Sequence, residues 1–367
     1  MTVRDVYETG RAAMTRLCLA VVPRGGVAPA IMVVLCVVAG LEAQQQQQRV
    51  ERVDVSRVLI DVRVIDGTGR PILGLEPDEF HVRIGGQPVL VESALWVGGA
   101  APRSGPIPST VLADRPEAAP AAPSQLVVFL VQKSLEHDRL IGLLRILQES
   151  ERLLSGLTPG DRVAVLSFDS HLKIWLDFTG DLDRVRTVLA DEVMFRKPAA
   201  IAPGRGLSLV SRLSQEVGRK TYAIEDALRL LGEALEPLPG PKSVVLIGYG
   251  FGPAMPGITV TSVLDESYAE ARAALHAARA AVFSLDVTDV DVHTFELGLK
   301  TVAVETGGFF ARTHLNARGA MDRVGHALTG HYVLFTERPD VTPGTHPLEV
   351  ELLRQQGLVL ARSTYVE

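Results

Sequence analysis

The histidines, cysteines, acids and glycines of this chain rarely stand at the spacings that chemistry requires. Its nine histidines, at positions 81, 137, 171, 276, 293, 314, 326, 331 and 346, contain no His-x-x-x-His pair, so the helical zinc pattern is missing. His137, between Glu136 and Asp138, reads as a solvated helix start. The two cysteines, Cys18 and Cys36, exclude a disulfide scaffold and a Cys-ligated zinc site. Gly204-Arg-Gly206 and Gly248-Tyr-Gly-Phe-Gly252 are glycine-rich, but neither carries the Lys-Ser/Thr of a phosphate loop or dinucleotide spacing. Asp286, Asp289 and Asp291 form an acidic stretch without the Gly and terminal Glu of a calcium loop, and read as solvated. No Gly-x-Ser-x-Gly elbow surrounds any serine. The expectation is a protein that is not an enzyme, with no catalytic residues.

Composition narrows the class further. The 367 residues are 47% hydrophobic and 22% charged, with net charge −6. These values fit a globular protein of about two domains. The acidity argues against nucleic-acid binding through bulk charge.

The N-terminus reads as an export segment over residues 1–43. Arg24 precedes the apolar run Val27–Leu41, Ala43 follows, and Gln44–Gln48 open a Gln-rich spacer at 44–51. A positive charge, an apolar core of about 15 residues and small residues after it suit a secretory signal. Met14 is an alternative start that shortens the leader, and an uncleaved anchor is the alternative fate. Leu35 before Cys36 does not suit a lipoprotein. Both cysteines leave with the segment, and 33 basic and 40 acidic residues remain. The expected location is exported: periplasm, cell surface or medium, with membrane contact only through an uncleaved segment.

The remaining chain changes period three times. Residues 52–97 read as β: Val58–Ile65, Phe80–Ile84 and Val89–Trp96 are rich in β-branched residues, and Gly85-Gly86 marks a hairpin. Six prolines within 98–123 mark a linker. Across 124–330 continuous apolar strands (Leu126–Val131, Arg162–Phe168, Lys242–Gly248, Ala281–Asp286) alternate with helical stripes (138–157, 181–195, 222–235, 262–280, 294–306, 316–329). This order predicts an α/β domain with a parallel sheet covered on both faces. Residues 331–367 return to β, with strands at 331–336, 346–353 and 358–365. Neither β piece can bury a good core alone. The two should pack as one small β-sandwich into which the Rossmann-like α/β domain is inserted.

In such a sheet ligands bind outside the carboxyl ends of the strands. Those ends carry Gln132-Lys-Ser134-Leu-Glu136, Tyr249-Gly250 and, before a helix, Lys220-Thr221-Tyr222. This arrangement resembles the von Willebrand factor type A domain. Asp66-Gly-Thr-Gly-Arg-Pro71, Leu73-x-Leu75-x-x-x-Glu79-Phe80, Pro159–Phe168, Glu305–Gly308 and His331–Leu334 further resemble the VWFA-related proteins of acidobacterial type. The resemblance implies a metal-ion-dependent adhesion site with an Asp-x-Ser-x-Ser strand end, a Thr and an Asp-Gly pair. Here that site is degenerate: Gln132 replaces the first Asp, Ser134 is kept, Glu136 replaces the second Ser, Thr221 or Tyr222 takes the Thr position, and Tyr249 replaces the Asp of the pair. With both carboxylates gone no cofactor is expected, magnesium being the alternative, and Ser134 and Thr221 read as caps of the following helices.

The expected function is therefore metal-independent capture of a protein partner. Tyr222, Tyr249, Phe251, Arg219 and Lys220 are the contact candidates, with Arg205 and Arg212 in the same basic run. The alternatives are a structural cell-envelope component and, behind it, an α/β hydrolase or nucleotide-binding enzyme.

Overall fold

The computed structural model describes residues 57–98, 125–204, 206–252, 264, 266–353 and 357–367. The export segment, the spacer, nearly all of the linker, Arg205 and most of the 249–260 loop lie outside the described residues.

The chain begins with β1 (Val58–Ile65), a helical turn at Pro77–Glu79, β2 (Phe80–Ile84), β3 (Gln87–Val89) and β4 (Val91–Gly98). The α/β part runs β5 (Leu126–Gln132), α1 (His137–Gln148), α2 (Glu151–Leu154), β6 (Arg162–Phe168), β7 (Leu172–Thr179) and α3 (Leu182–Thr187). It continues with α4 (Gln215–Arg219), α5 (Ile224–Leu235), β8 (Lys242–Gly248), α6 (Glu266–Ala277), β9 (Ala280–Asp286), α7 (Glu296–Glu305), β10 (Phe310–Arg312) and α8 (Ala317–Ala327). The closing strands are β11 (Gly330–Thr336), β12 (Thr345–Leu352), β13 (Leu358–Ala361) and β14 (Thr364–Val366).

Six strands form the central sheet in the order β10-β9-β8-β5-β6-β7. All pairings are parallel except β6 with β7, which is antiparallel and closes one edge. The fold class is thus the α/β, Rossmann-like arrangement that the alternating pattern predicts. Every residue of β5 is buried, and successive side chains enter opposite layers. Val127, Phe129 and Val131 pack with α1, α2, α3 and α8. Leu126, Val128 and Leu130 pack with α5, α6 and α7. Each fully buried side chain of this size contributes roughly 1.5–3 kcal/mol, which explains why the strand is apolar without alternation.

The terminal strands build two further four-stranded sheets, β13-β1-β11-β4 and β14-β12-β2-β3. Each mixes strands from before and after the α/β part, and their facing residues share one core around Ile60, Val62, Val82, Ile84, Tyr332 and Leu334. The Tyr332 ring packs on Phe80 and Trp96, its hydroxyl donates to the Ile72 carbonyl at 3.0 Å, and the same oxygen accepts from Leu75 N.

Two sequence-predicted strands divide in the structure. The strand expected at 89–96 breaks at Leu90, which is exposed, so that β3 and β4 join different sheets. The strand expected at 358–365 breaks at Arg362 and Ser363 for the same reason. A sandwich corner leaves the residue pattern locally strand-like while changing the pairing partner. The long helix expected at 138–157 likewise divides into α1 and α2.

Candidate functional site

The carboxyl end of β5 sits between β6 and β8, with Gln132 opposite Phe168. Gln132 is buried, and its carboxamide makes three hydrogen bonds to the loop after β8. Oε1 accepts from Tyr249 N at 3.1 Å and Gly250 N at 2.8 Å, while Nε2 donates to the Gly250 carbonyl at 2.9 Å. A carboxylate has no hydrogen to give that carbonyl, so an Asp or Glu cannot reproduce this clamp while ionised.

Beside the clamp stands Arg139 of α1. Its guanidinium lies 4.0 Å from the centroid of the Tyr249 ring and 5.8 Å from that of Phe295, and pairs with Glu136 at 3.1 Å. Tyr249 is half-buried, and burial raises its phenol above the ordinary value. Ser134 Oγ accepts from Glu136 N at 3.2 Å. Gln132, Ser134, Glu136 and Tyr249 are thus joined in one network, with Arg139 as the member that residue spacing did not reveal.

Thr221 does not join this network through any hydrogen bond. It is buried, and its hydroxyl donates to the Val217 carbonyl at 3.2 Å, closing α4. This corrects the reading of Thr221 as a cap for the following helix, whose first turn follows Ala223 without a side-chain cap. Ser134 likewise bonds within its own turn, and Glu136, not Ser134, is the N-cap position of α1. Tyr222 points outward at 80% exposure, and Arg219 and Lys220 are also exposed, Lys220 paired with Glu216.

Phe251 is a further correction. It is only 4% exposed and packs on Tyr268 with ring centroids 5.8 Å apart. Its backbone N–H and carbonyl are tied to Phe295 and Gly298. Phe251 holds the loop onto α7 and is not available to a partner.

At the β6–β7 edge, Asp169 accepts two bonds from Lys173 Nζ, at 2.7 and 2.6 Å, with Lys133 Nζ at 3.9 Å. Burial opposes ionisation there, but Lys173 and the Ser170 N–H outweigh it and bring the Asp169 carboxyl down to about 2. Beyond this cluster opens a cleft of about 350 Å³, lined in part by His171, Lys173, Lys197, Ser214 and Arg219. Burial and the neighbouring Lys173 lower the His171 imidazole. The cleft escaped the sequence reading because its cations come from three separated segments.

Asp286, expected in a solvated loop, is buried at 1% exposure. Its carboxylate accepts from Thr288 N at 3.0 Å and lies 2.8 Å from His293 Nε2. Asp289 and Asp291 are exposed. Among the described residues no three His, Cys, Asp or Glu side chains gather as a metal-holding group, and no helix is long and apolar enough to cross a membrane.

No family model matches the chain, and no curated protein matches it. Solved structures do. An aerotolerance-related membrane protein from Bacteroides fragilis matches at 16% identity and TM-score 0.37, covering 55% of this chain and 98% of its own. The conserved hypothetical protein BatB from Bacteroides thetaiotaomicron matches at 16% identity and TM-score 0.35, with the same two coverages, 55% and 98%. A von Willebrand factor type A protein from Catenulispora acidiphila matches at 11% identity and TM-score 0.36, covering 85% of this chain and 74% of its own. At these scores the likenesses carry no argument about activity, and the fold class rests on the strand order.

Proposed function

We propose that this chain is an exported, non-enzymatic binding protein of von Willebrand factor type A kind, whose adhesion site is degenerate and works without a metal ion. The observation that carries this reading is the Gln132 clamp. A divalent cation needs oxygen lone pairs and negative charge. Gln132 Oε1 already accepts two N–H groups, its Nε2 is a donor, and the Tyr249 ring is covered by the cation of Arg139. These residues do not fit a divalent ion.

Recognition then falls to the neighbouring basic cleft and its rim. Lys197 and Arg219 are exposed, and Tyr222 stands nearby in sequence with its ring in solvent. An exposed aromatic beside guanidinium and ammonium groups suits a partner that presents an acidic segment. Export rests on the residue 1–43 pattern.

The test is crosslinking capture from an envelope extract of the source organism, comparing the wild-type chain with Lys197→Glu/Arg219→Glu, with and without EDTA. A partner that is kept in EDTA and lost on charge reversal supports the proposal. Loss on chelation sinks the metal-independent reading. Capture indifferent to charge reversal sinks the cleft and favours a structural envelope role.

A further inference from the structure

A second polar cluster lies at the opposite end of the central sheet, where β8 and β9 begin and β1 and β11 of the sandwich cross them. It encloses a cavity of about 20 Å³ lined by Asp61, Arg63, Lys242, Arg279, His331 and Arg362, among others. Asp61 is the one acid in that lining, against three arginines and a lysine. Arg279 saturates it, with Nε on Oδ2 at 2.8 Å and Nη2 on Oδ1 at 2.5 Å. Arg63 is spent elsewhere, on Ser243 Oγ at 2.8 Å and the Ala327 carbonyl at 3.3 Å. His276 also lines the cavity, but its two ring nitrogens lie 2.9 Å from the Glu305 carbonyl and 2.9 Å from Thr364 Oγ1.

Three groups are left over. Lys242 is 5% exposed and has no hydrogen-bond or ion-pair partner among the described residues. Arg362 Nε is buried without a partner. His331 is 1% exposed, and its Nε2 makes no hydrogen bond, with Asp61 Oδ1 3.5 Å away. Burying unpaired cations costs several kcal/mol unless a counter-charge is supplied. The strain shows in the titration of the cluster. Burial lowers Arg63 to about 10, and it also lowers Lys242, Arg362 and His331.

We propose that this cavity is a binding site for a small inorganic anion of halide size, held by Lys242, Arg362 and His331 between the α/β part and the sandwich. The volume sets the class. At about 20 Å³ it is of the order of a single monatomic anion and well short of a tetrahedral oxyanion.

The test compares thermal unfolding in chloride and in gluconate at equal ionic strength. The wild-type Tm is expected to rise in chloride by about 2 °C. Lys242→Met should remove that increment and raise the Tm in gluconate, because it deletes an uncompensated buried charge. That second sign separates the proposal from simple misfolding. No increment in the wild type, or an unchanged increment in Lys242→Met, overturns it. Sulfate acting as strongly as chloride overturns the size assignment. In bromide-soaked crystals an anomalous peak between Lys242, Arg362 and His331 is the direct support, and its absence counts against the site.

Discussion

The Gln132 carboxamide and the Gly250 peptide group exchange two hydrogen bonds, Gly250 N to Oε1 at 2.8 Å and Nε2 to the Gly250 carbonyl at 2.9 Å. The pair fastens the end of the central strand to the loop that follows β8, and Tyr249 N adds a third bond. The arrangement needs one acceptor and one donor on the same planar group, which an amide supplies at every pH and a carboxyl only while protonated.

Gln132→Ala should therefore destabilise the protein by about 3 kcal/mol, because it orphans buried backbone groups that no water-filled surface replaces. Gln132→Glu, which keeps the shape and the acceptors but loses the donor, should cost about 1–3 kcal/mol at neutral pH. Urea denaturation reads both. Adding EDTA or magnesium should leave the wild-type midpoint unchanged. A midpoint that rises with magnesium would show that the clamp opens to a metal.

Phe251 and Tyr222 should behave oppositely. Phe251 fills space between Tyr268 and α7, so Phe251→Ala should cost about 3–5 kcal/mol. Tyr222 is 80% exposed, so Tyr222→Ala should change stability by about 0.5 kcal/mol or less while weakening partner capture. The two variants differ in denaturation midpoint first and in binding second. A large stability loss on Tyr222→Ala would mean that its ring is covered.

The contrast between these two residues shows what was legible in the sequence. The strands of the central sheet were legible because burial on both faces forces uninterrupted apolar runs such as Leu126–Val131. The shared sandwich was legible because 46 residues of β at one end and 37 at the other lack a core of their own. The breaks at Leu90 and Arg362 were not, since changing sheets alters partners and leaves strand propensity intact. Gln132 was visible as a departure from an acidic pattern, but its role as a clamp depends on Gly250, 118 residues away. The burial of Phe251 was not legible, because a loop aromatic looks the same in sequence whether it faces solvent or α7.

Asp61 should make stability fall in acid. Burial alone would raise its carboxyl, but His331 beside it and the two hydrogen bonds and charge of Arg279 prevail and hold it well below the ordinary carboxylate value. A carboxyl whose folded value is depressed stabilises the fold above its unfolded value. That contribution fades as pH falls below about 4 and toward the folded value. Asp61→Asn should lose about 1.5–3 kcal/mol at neutral pH, since it takes the carboxylate from the paired bonds of Arg279, whose guanidinium is only partly buried. It should also flatten the acid limb of the stability profile. Chemical denaturation from neutral pH down to the acid limb checks both, and an unchanged acid limb would place the titrating group elsewhere.

Gly248 offers a test of whether the clamp is one mechanical unit. A Cβ built there would stand 2.5 Å from both Cβ and Oε1 of Gln132, closer than unbonded atoms approach. Gly248→Ala must therefore push the carboxamide off the Tyr249 and Gly250 amides, at a cost of about 2 kcal/mol. With Gln132→Gly already in place, the three atoms nearest that methyl, Cβ, Cδ and Oε1 of Gln132, are gone and the clamp is already lost. The double variant should accordingly be more stable than the sum of the two single losses predicts, by at least about 1 kcal/mol. Additive losses in the cycle would mean that Gly248 is required for some other contact, and that the Gln132 bonds survive its replacement.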